Sequence, residues 1–472
     1  MTRTTTATSR SPRLLQTLFN LRPKEIVPAF IAALFFFCVM TALMLLRPVR
    51  DALGMERGIE NLRWLFIVTA VVTLAVNPLF GWLVSRLRRL QFIGATYGFF
   101  VLSLMGFWLL LTFAPGTVGQ RSGQVFYVWL SVFNLFVTMV FWALLADRFT
   151  SDQGKRFFAL ISVGGTLGAI LGPWLTAQLA KPLGTPNLLL VAGAFILLAI
   201  STAWLLVRMA PDRADNDASD LANETEHIGG SAWAGLRAAF QSRYLTAIAG
   251  YVLLMSVLAT IIYFTRLQMV AAVSDNLDAR AALLANIDMW TQVAVLFLQL
   301  TLTGKIIQRF GLGVALAILP IATALGFIGL AIFGSFIVLI LIEATNRAVQ
   351  RGITRPAREA LFTVVSREEK YKAKAFIDTF MYRNGDLIGA QTEGLLGRLG
   401  LAMGGLLSVV LPLALTWAAL GLWLGRSQSR YAAHQAANAA NQAQANHGQA
   451  VAQNGQANAL ESTSKPLNWS HP

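Results

Sequence analysis

Seven stretches of this chain, 26–46, 64–84, 122–146, 157–180, 182–207, 244–265 and 399–425, contain no Asp, Glu, Lys or Arg, and each is at least 21 residues long. About 20 apolar residues in a helix cross the hydrocarbon core of a bilayer. Lipid offers no partners to backbone polar groups, so uniformly apolar runs of this length fold there as helices. The composition agrees, with 56% of the 472 residues hydrophobic and 13% charged. An all-α integral membrane protein is expected.

Extending the pattern into less apolar segments gives twelve predicted spans, at 26–48, 62–84, 92–113, 123–146, 156–179, 187–208, 244–267, 281–303, 312–333, 335–355, 373–396 and 402–425. The uncharged segment 310–342 is too long for one crossing, and Gly334-Ser335 is its natural break. The net charge of +15 reads as topology. With a cytoplasmic N-terminus, cytoplasmic segments hold 27 Lys and Arg and external loops hold 9. This follows the positive-inside rule and places both termini in the cytoplasm. Nucleic acid is not needed to explain the basic balance, and lipid is the expected surrounding. The single cysteine, Cys38, and four histidines supply neither a disulfide nor a Cys/His metal cluster, so no metal or cofactor is expected. The first apolar run is too long for a cleavable signal peptide.

The organisation expected is a cytoplasmic N-terminal segment (1–25), a six-helix half (26–208), a polar linker (209–243), a second six-helix half (244–425) and a disordered cytoplasmic tail (426–472). The halves carry weak internal similarity. Gly81-Trp-Leu-Val-Ser85-Arg86-Leu87 closes the second span, and Gly304-Lys-Ile-Ile-Gln308-Arg309-Phe310 closes the eighth. Arg47 ends the first span as Arg266 ends the seventh, and Gly164 and Gly168 in the fifth match Gly385 and Gly389 in the eleventh. Two parallel six-helix repeats are an architecture of secondary transporters, which bind solute between the repeats near the midplane.

Charge inside the spans marks the candidate site. Glu343, Arg347, Arg351, Arg355 and Glu359 recur every four residues, which places successive members on one helical face. A charge at bilayer depth costs roughly 2.5–3.5 kcal/mol on insertion scales, so such groups face protein or water and are functional candidates. Arg47, Arg50, Arg266, Arg347, Arg351 and Arg383 are candidate contacts for a small anionic solute, since guanidinium forks take phosphate or carboxylate oxygens in pairs. Asp51, Asp288, Glu343, Asp378, Asp386 and Glu393 are candidates for charge pairing or coupling, with protons as the candidate coupling ion. Each has a plainer structural reading: helix-end snorkelling for the arginines, and local ion pairs such as Glu343 with Arg347 for the acids. Trp142, Tyr263 and Tyr382 could stack a purine or simply pack. No P-loop and no nucleophile–base constellation is present in the sequence, so an enzyme is not expected.

The segment from Gly81 through Ser85, Arg86 and Arg89 resembles the loop 2–3 signature of the major facilitator superfamily, with Ser85 and Arg88 in place of its Asp and second Gly. Asp147-Arg148 with Gly154-Lys155-Arg156 resembles its loop 4–5 pattern, and Gly164, Gly168, Gly172 and Pro173 resemble the fifth helix of its antiporters. The resemblance implies that Arg86, Arg89, Asp147, Arg148 and Arg309 are gate and topology residues. A narrower resemblance, over roughly 25–425, is to the bacterial ATP:ADP antiporter (nucleotide translocase) family. Its motifs here are Leu46-Arg47-Pro48-Val49-Arg50-Asp51-Ala52-Leu53, then Phe141-Trp142 with Lys155-Arg156-Phe157, then Lys370-Tyr-Lys372-Ala-Lys374-Ala-Phe-Ile-Asp378 followed by Arg383-Asn-Gly385-Asp386. The family's acid in the fourth helix has no counterpart in 122–146, and its Lys after Arg-x-Gly is Asp386 here. The resemblance implies a monomeric secondary transporter of an anionic solute, with nucleotides and other phosphorylated metabolites as candidates, in a bacterial inner membrane. A proton-coupled drug or metabolite exporter is the alternative, and a non-transporting membrane sensor or scaffold is a third reading.

Overall fold

A computed structural model of the chain describes residues 22, 25–86, 89–114, 116–149, 151–209, 242–365, 373–374, 376–399 and 403–463, with the backbone alone over 77–86, 89–92, 298–308 and 438–463. Helices α1 (Ile26–Met55), α2 (Ile59–Arg86), α3 (Arg89–Phe113), α4 (Thr117–Arg148), α5 (Ser151–Leu183), α6 (Leu188–Met209) and α7 (Arg243–Val273) follow one another. A long helical stretch, Leu277–Phe333, is broken at Gly311, whose φ of 76° lies in the region that favours glycine, giving α8 (277–310) and α9 (312–333). It ends at left-handed Gly334. Ser335 then caps α10 (Phe336–Val349) by accepting from the Val338 amide at 3.4 Å. The break read at Gly334-Ser335 is thus where the chain turns. A π-helical turn, Gln350–Thr354, carries α10 on into a short helix, Arg355–Leu361. A second π turn, Ile377–Met381, leads into α11 (Tyr382–Arg398), and α12 (Met403–Thr463) closes the order. Among the described residues there is no strand.

Among the described residues, eight helices are long and apolar enough to cross a membrane: Ile26–Met55, Ile93–Phe113, Val118–Leu145, Arg156–Leu183, Thr185–Met209, Arg243–Val273, Arg309–Phe333 and Gly404–Gln435. The other predicted spans fall on α2, α8, α10 and α11, which are helical. The last three carry the interior charges Asp288, Glu343, Arg347, Asp386 and Glu393, and α10 proper has only 14 residues. Apolar side chains such as Phe30, Leu102, Phe113, Phe297, Ile332 and Ile337 lie more than half exposed on the outside of the bundle, as a lipid-facing surface requires.

Two of the helix pairs that meet through glycine carry the site's helices α1 and α7. A Cβ at Gly164, Gly168 or Gly172 of α5 would run into backbone of α1 around Ala33, Phe37 and Thr41. A Cβ at Gly385 or Gly389 of α11 would run into Leu253, Ser256 and Val257 of α7. Small residues let membrane helices approach closely, and here they seat α5 on α1 and α11 on α7 in the same manner.

Pro48 sits inside α1, which continues to Met55. Pro356 stands in the first turn of the short helix that follows the π turn, where a missing N–H is tolerated. The tail from 426 was expected to be disordered, yet α12 runs to Thr463, and its Ala- and Gln-rich sequence suits a helix. The N-terminal segment and the linker lie almost wholly outside the described residues, as do Lys370 and Lys372.

Replacing Gly168 with Leu should destabilise the protein by roughly 1–3 kcal/mol, the usual range for overpacking. Gly98→Leu should be nearly silent, because a Cβ there meets nothing within 4 Å. Thermal unfolding of the two variants in detergent tests the contrast.

Candidate functional site

The site is built around one guanidinium. Arg266 of α7 is 0% exposed and touches three carboxylates, one from each of three other helices. Its Nη2 donates to Asp51 Oδ2 of α1 at 2.7 Å. Its Nη1 donates to Asp288 Oδ1 of α8 at 2.9 Å and to Glu343 Oε2 of α10 at 3.3 Å. An unpaired buried charge costs several kcal/mol, so these groups hold one another in place.

Two further arginines complete the cluster. Arg347 donates from Nη1 to Asp288 Oδ1 at 2.7 Å and from Nη2 to Glu343 Oε2 at 2.9 Å, the latter being the four-residue pair expected from sequence. Arg50 donates to Asp51 Oδ1 from Nε at 3.0 Å and from Nη2 at 2.6 Å, and to Ser131 Oγ at 3.2 Å. Asp51, fully buried, also accepts from the Tyr263 hydroxyl at 2.8 Å. Arg50 lies 4.8 Å over the Tyr127 ring.

Arg47 and Arg351 are held differently. Arg47 Nε lies 3.8 Å from Asp288 Oδ2, an oxygen with no hydrogen-bond partner among the described residues. Arg351 lies one turn beyond Arg347 and donates to Gln292 Oε1 at 2.9 Å, and Gln292 lies one turn beyond Asp288. Helices α8 and α10 thus face each other across two rungs, one charged and one neutral. Beside them a cavity of about 180 Å³ is lined by Arg47, Tyr263, Thr323, Asn346, Arg347 and Tyr382, among others.

The other acids stand apart from this cluster. Asp386 Oδ1 accepts from Ser256 Oγ at 2.5 Å and Thr260 Oγ1 at 3.1 Å, and Arg383 reaches its Oδ2 at 3.5 Å. Asp378 pairs with Arg358 at 3.2 Å. Asp378 lies in the π turn at Ile377–Met381, which puts it out of phase with Tyr382 and Asp386 despite their four-residue spacing. Farther along the row from α10, Arg351 and Arg355 are both exposed, and Glu359 pairs with Lys374. Glu393 takes no part in the cluster. It accepts from Arg63 of α2, Nη2 at 2.7 Å and Nε at 3.2 Å, and from Gln268 of α7. Arg63 lies so flat on α11 that a Cβ at Gly394 would meet its guanidinium at 3.0 Å. Glu60 joins this latch through Arg63 at 2.8 Å and Arg398 at 3.1 Å. Those hydrogen bonds, the one from Arg398 foremost, hold its carboxyl below the ordinary value.

Arg86 and Arg89 stand at the facing ends of α2 and α3, with side chains outside the described residues. Asp147 and Arg148 form the end of α4, and Arg309 is exposed near the break at Gly311. Of the aromatic candidates, Tyr263 and Tyr382 line the cavity, whereas Trp142 packs on Phe36, Phe141 and Phe158. Arg63, Glu60, Gln268, Gln292, Tyr127 and the pair Ser256 and Thr260 were missed from sequence. Arg63 carried one usable signal, a charge one turn inside a span.

Arg266→Leu, which leaves three buried carboxylates short of a cation, should cost about 3–5 kcal/mol of stability. Adding Asp51→Asn should restore part of the loss. Arg351→Leu, which leaves only the neutral Gln292 amide without its partner, should cost about 1–3 kcal/mol at most. Unfolding transitions of the three variants check the order.

Proteins of known function resemble this chain over much of its length. It is 24% identical over 295 residues to ADP,ATP carrier protein 1 of Chlamydia trachomatis, which is 55% of this chain and 56% of that one. The matched stretch therefore spans about half the length of that relative. With ADP,ATP carrier protein 1 of Chlamydia pneumoniae the identity is 22% over 458 residues, 82% of this chain and 88% of the relative. Among solved structures, a bacterial homologue of the iron transporter ferroportin in an inward-facing state aligns with a TM-score of 0.59 at 13% identity, over 85% of this chain and 98% of the other. A peptide transporter aligns with the same TM-score of 0.59 at 13% identity, over 85% and 94%. A sequence profile for the Major Facilitator Superfamily matches residues 29–353, and on that match, with the fold in agreement, the chain belongs to this superfamily of membrane transporters.

Proposed function

We propose that this transporter moves a small anionic solute, with nucleotides and other phosphorylated metabolites as the leading class. The supporting observation is the buried cluster of Arg50, Arg266 and Arg347 on Asp51, Asp288 and Glu343, with Arg47 and Arg351 beside it held by no short carboxylate contact. The weak likeness to ADP,ATP carriers agrees with an anionic cargo. The solute's oxygens would engage Arg47 and Arg347 from the cavity, with Arg351 one turn beyond Arg347. Candidate residues for coupling are Asp386, within reach of two hydroxyls, and Asp288.

The proposed architecture is twelve spans in two six-helix halves, with both termini in the cytoplasm of a bacterial cell. Alternation would exchange the ties between helices before residue 210 and those after 242. Among the described residues these ties include Asp51 with Arg266 and Tyr263, Tyr127 with Tyr263, Arg47 with Asp288, Arg63 with Glu393, Glu60 with Arg398, and Thr185 with Asp278. Most of them lie toward the ends of α1, α7 and α11 and the start of α2, and Thr185 with Asp278 joins the turn after α5 to the start of α8, which supports a state closed on that side. A proton-coupled exporter is the second reading. The setting of Asp386 favours it, and in that reading loss of Arg347 would matter little.

Counterflow into proteoliposomes preloaded with ATP, ADP or inorganic phosphate should show uptake of labelled nucleotide that requires the preload. Arg347→Ala should reduce it more than about tenfold. Uptake unchanged in that variant would leave the exporter reading in first place. Glu393→Gln should loosen the latch. In a Cys38→Ala background, a cysteine in place of Ile262, which lines the cavity, should then react several-fold faster with an impermeant thiol reagent from the α1–α2 side.

A further inference from the structure

The cationic row that begins on α10 does not stop at the buried cluster. Arg347 is held by Asp288 and Glu343, but Arg351 and Arg355, each four residues farther on, are exposed. Arg351 donates to the neutral Gln292 at 2.9 Å, and among the described residues neither it nor Arg355 makes an ion pair. The acids that follow in the chain are taken, Glu359 by Lys374 and Asp378 by Arg358. The row runs away from the side that carries most ties between early and late helices. Helix α7 ends on that side, the short turn 274–276 starts α8 there, and α9 returns the chain to it before α10 begins. Passing from Glu343 to Arg355 therefore leads toward the opposite mouth of the bundle. The row also faces the space between early and late helices. Arg47 of α1 reaches Asp288, one turn before Gln292 on α8, and Arg351 lies within electrostatic reach of Arg47, Arg347 and Arg355 together.

We infer that Arg351 and Arg355 form a staging site that captures the anionic solute at this mouth and passes it to Arg347 and Arg47 at the cavity. This rests on the anion-transport reading above and deepens it, giving the two exposed guanidinium groups a kinetic role. Neighbouring guanidinium groups with no carboxylate between them offer paired N–H donors to phosphate or carboxylate oxygens. Like charges four residues apart weaken a helix, and an anion lodged between them removes that repulsion. Because both groups are exposed, they are cheap to leave empty and hold an anion only weakly, so the solute leaves readily for the deeper arginines. A mouth of one sign of charge raises the local concentration of the opposite ion and its rate of capture. Successive groups on the row are one turn apart, about 5–6 Å between Cβ atoms, so each transfer is short. The headgroup of an anionic lipid presents the same phosphate chemistry, and vesicle composition separates the two sources.

The test uses the full-length protein carrying Cys38→Ala and Arg355→Cys, in vesicles of neutral phosphatidylcholine, with labelled ATP, ADP and inorganic phosphate as probes. Uptake against the same unlabelled solute is compared with that of Cys38→Ala alone. KM should rise about three- to tenfold, most for the most highly charged probe transported, while the maximal rate holds within about twofold. An impermeant thiol reagent that adds an ammonium group should bring KM back, one that adds a sulfonate should raise it further, and a neutral one should leave it unchanged. Raising the ionic strength should weaken uptake by Cys38→Ala more than by the double variant. Support of a helix end by a cation would move stability and leave KM alone. If the cysteine variant does not fold, Arg355→Gln and Arg355→Lys carry the test: the first should raise KM and the second keep it near the wild-type value. A KM indifferent to loss of the charge, or reagents of both signs acting alike, overturns the inference and leaves anion transport standing. An effect that appears only with anionic lipid in the vesicles does the same, and assigns the pair to headgroups. Uptake of none of the three probes by folded protein overturns the anion reading and the inference with it.

Discussion

The fold depends on a cation placed where no water reaches it. Arg266 is fully buried, and its charge is tolerable only because three carboxylates arrive from α1, α8 and α10. The planar fork of arginine serves this arrangement in a way lysine could not: separate N–H groups point at Asp51 and at the Asp288–Glu343 pair. Four helices are thereby fixed in register with one another. Side-chain packing alone would let apolar helices slide in a bilayer, since lipid tails are as apolar as leucine.

Packing brings those helices close enough for the charges to meet. Gly164, Gly168 and Gly172 seat α5 on the backbone of α1, and Gly385 and Gly389 seat α11 on α7. Helices α1 and α7, which carry Asp51 and Arg266, are thus each flanked by a glycine-faced neighbour. The π turns then decide which charges stay together. On α10 the four-residue row holds through Glu343, Arg347 and Arg351, so two rungs reach Asp288 and Gln292 on α8. Arg351, inside the turn Gln350–Thr354, and Arg355 after it are both exposed. On α11 the turn at Ile377–Met381 sends Asp378 toward Arg358 and leaves Asp386 against the α7 hydroxyls.

The helical class and the membrane setting were legible because they depend on composition over about 20 residues, which a chain states openly. The Glu343–Arg347 pair was legible for the same reason, being local. Distant partners were not. Nothing near Glu393 announces Arg63, 330 positions earlier in the chain, and nothing near Asp51 announces Tyr263. Four-residue spacing also assumes an unbroken α-helix, so a π turn invalidates it without any mark in composition; Pro356, just past the turn, was the available hint. The tail shows the opposite failure. Low charge and low complexity suggested disorder, while the intrinsic propensity of Ala and Gln favoured the helix that runs to Thr463.

The ties between early and late helices are unevenly distributed, and that has an energetic consequence. Asp51 with Arg266, Arg63 with Glu393 and Thr185 with Asp278 all sit on one side of the bundle, and the aromatic group of Phe66, Tyr127, Tyr263 and Phe264 fills the space among them. Opening that side exposes or breaks each tie, and a buried pair broken by separation leaves both charges to be solvated or repaired. Water entering the opening solvates most readily the Glu60–Arg398 pair, exposed at both ends, whereas the Arg63–Glu393 pair is itself buried. Water cannot serve Asp51 and Arg266 equally well at 0% exposure. The deep pair needs replacement partners, and only Arg50 for Asp51 and Asp288 with Glu343 for Arg266 are already in contact with them. Each deep group therefore keeps an opposite charge on its own side of the divide when the halves part. The redundancy of the cluster, three carboxylates around one guanidinium, is what allows the central tie to be broken without stranding a charge.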